Sequence, residues 1–420
     1  MIDMFIVVVW LLNAFTFLYP CVMAYVWIAG ALSYYWVRER PFIDPAHPPL
    51  LPQYPFVSVL VPCHNEAENI EETFGQLMEL DYPAYEVLAI NDGSRDNTAE
   101  LLDLLAQCHP RLRVVHLRQN QGKAIALTCA AHAARGEYLV CIDGDALLHP
   151  QALHWFVRGL EQWPGIGALT GNPRIRNRST LLGKLQVGEF SSIIGLIKRA
   201  QRAYGRLFTV SGVVCAFRKR ALHDIGYWAP DMVTEDIDVS WRLQLSGWYV
   251  LYEPHALCWI LMPETLRGLW RQRLRWAQGG AENAVRNVRH FLRHPFSGLG
   301  PIYFDYSLSI LWSYAMAFTF ALWLLAVIPG VHLPVQGAGL IPESWGLMLC
   351  LSFLLQAAVS MWLDGKYERG LWWSYFWMIW YPLVYWMIIW ATALVGFPKG
   401  IMRRRPRRAR WQSPDRGIRA

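Results

Sequence analysis

The chain has 420 residues, 54% of them hydrophobic, with 22 tryptophans and a formal charge of +7. It is too apolar and too aromatic for an ordinary soluble domain, and reads as a membrane protein that carries one soluble domain. The charge does not point to nucleic acid: residues 401–420 hold eight Arg against one Asp, so the rest of the chain is neutral overall.

Residues 4–37 are almost uncharged and exceed the ~20 residues that one bilayer crossing needs. They lack a basic start and a small-residue cleavage site, which argues against a removed signal peptide. Arg38, Glu39 and Arg40 follow at once and predict a cytoplasmic location for the next domain by the positive-inside tendency. The expected organisation is a membrane segment over 1–40, a cytoplasmic domain over 41–300, membrane helices over 301–400 and an Arg-rich tail over 401–420.

Within the soluble part, short apolar runs at 57–61, 86–90, 112–117 and 138–142 predict buried strands. Helical patterns near 68–80, 97–108 and 123–134 separate them. This alternation predicts a parallel, doubly wound α/β sheet, whose ligands bind outside the carboxyl ends of the strands. Polar residues stand at those ends: His64-Asn65-Glu66, Asn91-Asp92-Gly93, Asn120 with Lys123, and Asp143. Taken singly, Asp92-Gly93 is a turn signal and Asp96-Asn97-Thr98 a helix cap. Their shared register with the strand ends favours a site. Neither an ATPase phosphate loop nor a dinucleotide fingerprint is present.

Asp143-Gly144-Asp145 offers two hard oxygen ligands to a divalent cation that keeps waters and holds substrate phosphates, as Mg²⁺ prefers. On its own such a triplet is usually a turn; directly after a buried strand it is a stronger signal. Asp236, in Thr234-Glu235-Asp236, suits a general base, with Glu235 and Asp238 as alternatives; helix capping is the plain structural reading. Gln272, Arg275 and Trp276 share one face of an amphipathic segment near 264–294 that is expected to lie along the membrane surface. Arg275 is suited to a diphosphate and Trp276 to a sugar ring.

Three apolar runs follow, over 306–329, 345–363 and 371–397. Three full crossings from a cytoplasmic domain place the Arg-rich tail outside, against the charge rule, whereas Pro382 permits a re-entrant or interfacial last run. The tryptophans of this region fit either interfacial belts or a polysaccharide conduit. The Arg403–408 cluster fits anionic lipid headgroups or a solvated tail that fixes topology. The eight cysteines show no metal-site spacing and read as reduced packing residues.

Pro62 to Glu66, Asn91-Asp92-Gly93, Asp143-Gly144-Asp145, Thr234-Glu235-Asp236 and Gln272-x-x-Arg275-Trp276 together resemble the processive family 2 glycosyltransferases of GT-A fold. Relatives of that group include cellulose, chitin and hyaluronan synthases. Gly171-Asn-Pro-Arg-Ile-Arg176, Gln186-Val-Gly-Glu189, Ser191 to Lys198, Arg273 to Gly280 and Arg410 to Gly417 resemble the bacterial poly-β-1,6-N-acetylglucosamine synthases of biofilm formation, nearly end to end. The resemblance implies a Rossmann-like GT-A cytoplasmic domain joined to transmembrane helices. It also implies UDP-N-acetylglucosamine as donor, Mg²⁺ (or Mn²⁺) as cofactor, inversion at the anomeric carbon, and passage of the polymer through the bacterial inner membrane. A small two-helix membrane partner is implied too, with cyclic di-GMP activation in some members. No long C-terminal regulatory domain is present, so a cyclic di-GMP site would be shared with a partner.

By position, Glu66 falls among the substrate-binding residues, Asp92 meets the uracil or ribose, and Lys123 meets the nucleotide. Asp143 and Asp145 hold nucleotide and metal, with Asp145 the better ligand. Asp236 is the base, Trp276 the acceptor platform, and Gln272 and Arg275 steady the departing UDP. The alternative within the group is another family 2 polysaccharide synthase of hyaluronan, chitin or cellulose type, because donor choice depends on pocket shape, which motifs do not encode; two other classes share parts of the pattern. A lipid-phosphate sugar transferase shares the Asp-x-Asp element but has little use for Gln-x-x-Arg-Trp beside exit helices. A non-enzymatic membrane scaffold is disfavoured because every expected polar position is filled.

Overall fold

The computed structural model describes residues 2–42, 44–329 and 345–403. A single helix, α1 (Ile2–Tyr34), is apolar on all sides and ends in a π turn over Tyr35–Glu39. Uniform apolarity leaves such a helix stable only in an apolar surrounding.

The predicted alternation appears next: β1 (Val57–Cys63), α2 (Ile70–Met78), β2 (Tyr85–Asp92), α3 (Thr98–Cys108), β3 (Leu112–Leu117), α4 (Lys123–Ala133) and β4 (Tyr138–Ile142). These strands are parallel in the order β3-β2-β1-β4, and β1, β2 and β4 are buried throughout. The chain continues through β5 (Leu147–Leu148), α5 (Ala152–Glu161), β6 (Ile166–Ile175), α6 (Leu181–Glu189), a π segment over Phe190–Gly195 and α7 (Leu196–Ala203). Then come β7 (Val214–Arg218), α8 (Lys219–Asp224), α9 (Glu235–Leu245) and β8 (Tyr249–Ile260).

Beyond β4 the sheet departs from the expected all-parallel arrangement. The order continues β4-β7-β6-β8-β5, with β7 antiparallel to both β4 and β6 and β5 antiparallel to β8. The reason is the approach of the chain: the Ser211-Gly212 loop enters at the carboxyl end of β4, so β7 has to run back. That reversal delivers a loop to the ligand-binding edge where a parallel strand would begin at the opposite edge.

After β8 come α10 (Leu266–Arg293), α11 (Gly300–Val327), α12 (Trp345–Asp364), a 3-10 turn (Leu371–Ser374), α13 (Tyr375–Met378), a π turn (Tyr381–Tyr385) and α14 (Trp386–Met402). Among the described residues, three stretches are long and apolar enough to cross a membrane: Ile6–Glu39, Gly300–Val327 and Trp345–Asp364. The last apolar run is broken around Pro382, and α14, at 17 residues, spans about 26 Å, short of a ~30 Å hydrocarbon core. It packs on the domain instead. Gly396 and Gly400 face Ala277 and Ala281 of α10 at backbone distance, a small-residue seam between parallel helices. Arg403, just past α14, pairs with Glu282 at 2.7 Å, so the chain enters the tail on the domain's side. Residues 404–420, which hold the rest of the Arg cluster and its resemblance motif, lie outside the described residues.

A buried ionic cluster ties the spans to the sheet. Arg199 of α7 pairs with Glu39 at the foot of α1 (2.8 Å) and with Asp364 at the foot of α12 (2.8 Å). Arg174 of β6 pairs with the same Asp364 at 2.7 Å and with Glu368 at 2.6 Å. All of these side chains are under one-tenth exposed. Arg199→Met leaves Glu39 and Asp364 without their shared cation, and breaking a buried pair in this way costs about 3–5 kcal/mol. Thermal melting of the detergent-solubilised protein should show a clear drop in Tm; an unchanged Tm would mean the cluster contributes nothing to holding the spans.

Candidate active site

The site is built from the carboxyl ends of β1, β2 and β4 plus two later loops. Asp92 ends β2 fully buried, and its carboxylate accepts the backbone N–H groups of Gln121 (2.7 Å) and Gly122 (2.8 Å). It therefore fixes the turn that launches α4, whose first residue is Lys123. The His64 ring donates from Nδ1 to the Asp92 carbonyl at 2.8 Å, tying the end of β1 to the end of β2. Glu66, also buried, accepts from the Asn69 amide at 2.9 Å, and its Cγ flanks Gly144.

Asp143 and Asp145 sit on the turn after β4, closed by an Ala146 N–H bond to the Asp143 carbonyl (3.1 Å) and by Thr73 Oγ1 donating to the Gly144 carbonyl (3.0 Å). The Lys123 ammonium bonds Asp143 Oδ1, donates to the Gly212 carbonyl at 3.0 Å, and lies 3.7 Å from Glu235. Burial works against that ammonium, but Asp143, Glu235 and Asp236 outweigh it and hold Lys123 well above the ordinary lysine range. One cation thus joins the Asp-Gly-Asp turn to the Thr-Glu-Asp loop across more than 90 residues of chain.

Asp236 opens α9 and accepts the N–H of Ile237 at 3.0 Å. Burial pushes its carboxyl up to about 6 and the Glu235 charge adds to this, against the pull of Arg275 and Lys123. Gly212 lies beside both groups: a Cβ there would make ordinary contact with Asp236 Oδ2 at 3.4 Å and Lys123 Nζ at 3.5 Å.

The Gln-x-x-Arg-Trp helix, α10, reaches this cluster through a second glycine. A Cβ on Gly279 would overlap Thr234 Oγ1 at 2.1 Å, so only glycine lets the Thr-Glu-Asp loop lie on the helix. Arg275 is exposed toward the loop, with Nη1 3.5 Å from the Val233 carbonyl. Gln272 carries a buried amide oxygen with no hydrogen-bond partner among the described residues. Trp276 is half-buried under the Arg273 guanidinium, 4.1 Å from its ring. Arg273 is held in turn by Glu189 (2.6 Å) and the Tyr385 hydroxyl (2.7 Å).

Asp236, Lys123, Asp143 and Arg275 are therefore gathered into one charged cluster, Asp145 stands on the same turn as Asp143, and Trp276 and Gln272 lie on the helix that carries Arg275. Asp92 and Glu66 stand behind it with their carboxylates already engaged. The sequence reading did not single out Gly212 or Gly279 and placed Arg273 only in a motif. Their only advance signal was a glycine beside a motif and an Arg two positions from another.

Among the described residues no cluster of three or more His, Cys, Asp or Glu side chains forms a ready-made metal cage. Two carboxylates on one turn beside an open pocket instead suit a hard divalent cation that completes its shell with water and phosphate.

Residues 52–279 match the family model described as glycosyltransferase-like family 2. The chain is similar to the poly-β-1,6-N-acetyl-D-glucosamine synthase of Staphylococcus epidermidis, with 38% identity over 415 residues, covering 97% of this chain and 99% of that protein. The synthase of Staphylococcus aureus strain COL is 38% identical over 404 residues, covering 96% and 98%. Among solved structures, the mannosyltransferase PcManGT from Pyrobaculum calidifontis, in complex with GDP-Man and Mn²⁺, superposes with a TM-score of 0.62 at 22% identity, over 94% of this chain and 100% of that one. That likeness identifies the mixed sheet and its helices as a GT-A fold.

Gly279→Ala forces the Thr234-Glu235-Asp236 loop off α10. A misplacement of about 1 Å there is expected to lower turnover roughly 10²-fold, measured in membranes holding equal amounts of protein. Equal turnover would show that this contact does not set the loop.

Proposed function

Because the chain belongs to glycosyltransferase family 2, with poly-β-1,6-N-acetyl-D-glucosamine synthases among its relatives, we propose that it is a processive inverting enzyme of that kind. It polymerises N-acetylglucosamine from UDP-N-acetylglucosamine into a β-1,6-linked biofilm exopolysaccharide. The observation that carries the reading is Lys123, whose ammonium spans Asp143 and Glu235 and so puts diphosphate and base chemistry in one pocket.

Asp236 acts as the general base, taking the proton of the acceptor hydroxyl as that oxygen attacks the anomeric carbon. A carboxyl near 6 is ionised at neutral pH yet more basic than an exposed one, the compromise a base needs. Bond breaking builds negative charge on UDP, and Lys123 and Arg275 are positioned to meet it. Gln272 contributes its unpartnered amide oxygen to a substrate hydroxyl or amide. Trp276, stiffened by Arg273, supports the terminal sugar of the growing chain. Asp92 shapes the nucleotide end of the pocket through the Gln121-Gly122 turn, and Glu66 supports the Asp-Gly-Asp turn. Asp145, with Asp143, would hold a divalent cation, Mg²⁺ or Mn²⁺, which supplies neutralisation of the diphosphate.

The protein sits in the bacterial inner membrane with the catalytic domain in the cytoplasm, where nucleotide sugars are made. Arg38 and Arg40 after α1, and Arg403 on the domain's side, support that orientation. Two crossings after the domain, with α14 packed on α10, bring the tail back to the cytoplasm. Exposed apolar flanks on α1 and α12, including Trp10, Leu11, Leu351 and Leu355, leave room for a small two-helix membrane partner, at whose interface a cyclic di-GMP site would lie.

Membranes supplied with radiolabelled donors should incorporate N-acetylglucosamine and not glucose; incorporation from UDP-glucose alone would overturn the substrate. Asp236→Asn should lower incorporation by about 10²–10⁴-fold with the protein still in the membrane. A protonated base is inactive, so the wild-type rate should be present above the Asp236 value of about 6 and fall as pH drops through it. Chelation with EDTA should abolish incorporation, and Mg²⁺ or Mn²⁺ should restore it.

A further inference from the structure

Lys198 is the one lysine of α7, and the roles above do not use it. Its ammonium is buried and, among the described residues, paired with no carboxylate. It donates to Thr170 Oγ1 at 3.2 Å and to Ser211 Oγ. A charged amine held by two hydroxyls and the face of the Tyr252 ring at 5.8 Å, with no carboxylate, is poorly compensated for its lost hydration, so replacement by an apolar side chain would be neutral or stabilising if packing were its purpose.

Its neighbours suggest what it does. Ser211 is pinned twice, by Lys198 at its hydroxyl and by Thr170 Oγ1, which accepts its backbone N–H at 2.8 Å. The next residue, Gly212, gives its carbonyl to Lys123 and lies against the Asp236 carboxylate. Lys198 therefore holds from behind the loop that Lys123 holds from the front, and Asp236 rests on that loop.

We propose that Lys198 is a positioning residue for the base: it locks the Ser211-Gly212 loop beneath Asp236 and supplies the positive potential that keeps that carboxylate ionised. The proposal rests on the reading of Asp236 as the base. Burial drives the Lys198 ammonium down to about 7, with the Asp236 charge opposing. The groups facing Asp236 are Glu235 from its own helix, Lys123 from α4, Arg275 from α10, Cys215 from β7 and Lys198 from α7. Removing one of three cations raises the carboxyl's affinity for protons.

The test compares the pH dependence of N-acetylglucosamine incorporation in wild type, Lys198→Met, Lys198→Arg and Asp236→Asn, at matched protein levels in membranes. For Lys198→Met the acidic limb should move up by about half a pH unit or more. Turnover should fall about 1.5-fold or more at pH 6.5, with a smaller deficit above pH 8 and the KM for UDP-N-acetylglucosamine within about twofold of wild type. Lys198→Arg, which keeps the charge, should return the limb toward its wild-type position. The proposal is overturned if Lys198→Met keeps the wild-type limb and turnover, or if the Met and Arg variants behave alike, loss of both from the membrane included. If Asp236→Asn retains full activity, the assignment of the base fails first, and that outcome is distinct from either Lys198 result.

Discussion

The rest of the molecule depends on charge buried where the membrane helices meet the sheet. Arg174 and Arg199 are almost fully removed from solvent, and the carboxylates that neutralise them come from the ends of α1 and α12 and from Glu368 just beyond. Each ion forfeits several kcal/mol of hydration, so the arrangement persists only while all partners are present. An apolar contact of the same area tolerates sliding and rotation. A guanidinium between two carboxylates does not, because its donors have fixed directions.

That rigidity passes to the site through α6 and α7. Glu189, at the end of α6, orients Arg273 over Trp276; Lys198, on α7, holds the loop beneath Asp236. The helices that bear on the spans thus also set two walls of the pocket. Gly279 completes the fit by what it lacks, since it leaves room for Thr234 to approach.

Much of this was legible in the chain. Strands β1, β2 and β4 are largely apolar runs, buried throughout, with polar residues at or just past their carboxyl ends, and buried parallel strands carry that signature locally. The two acidic motifs and the Gln-x-x-Arg-Trp element could be read because their chemistry lies within a few residues. What escaped depends on contacts between distant segments. The reversal of β7 is set by where the chain re-enters, and nothing in the Val-Cys-Ala-Phe-Arg run states a direction. Arg273 and Arg275 look alike in sequence, yet two steps around a helix turn them about 200° apart, one toward buried Glu189 and the other toward the Thr-Glu-Asp loop. Lys198 follows a run of apolar residues with no companion acid nearby. Its partners, Thr170 and Ser211, lie 28 and 13 residues away.

The composition break near residue 300 invites a cut that would free the catalytic domain from its hydrophobic companions. The ionic cluster argues otherwise. A chain ending there would keep Arg174 and Arg199 while discarding Asp364 and Glu368, and Tyr385 would be lost from the Glu189 and Arg273 pair. The truncated protein would be left with stranded cations in its interior and an unsupported aromatic platform. Catalysis and membrane anchorage in this chain are one folding unit, and a water-soluble version would have to be redesigned at those arginines before it could be cut.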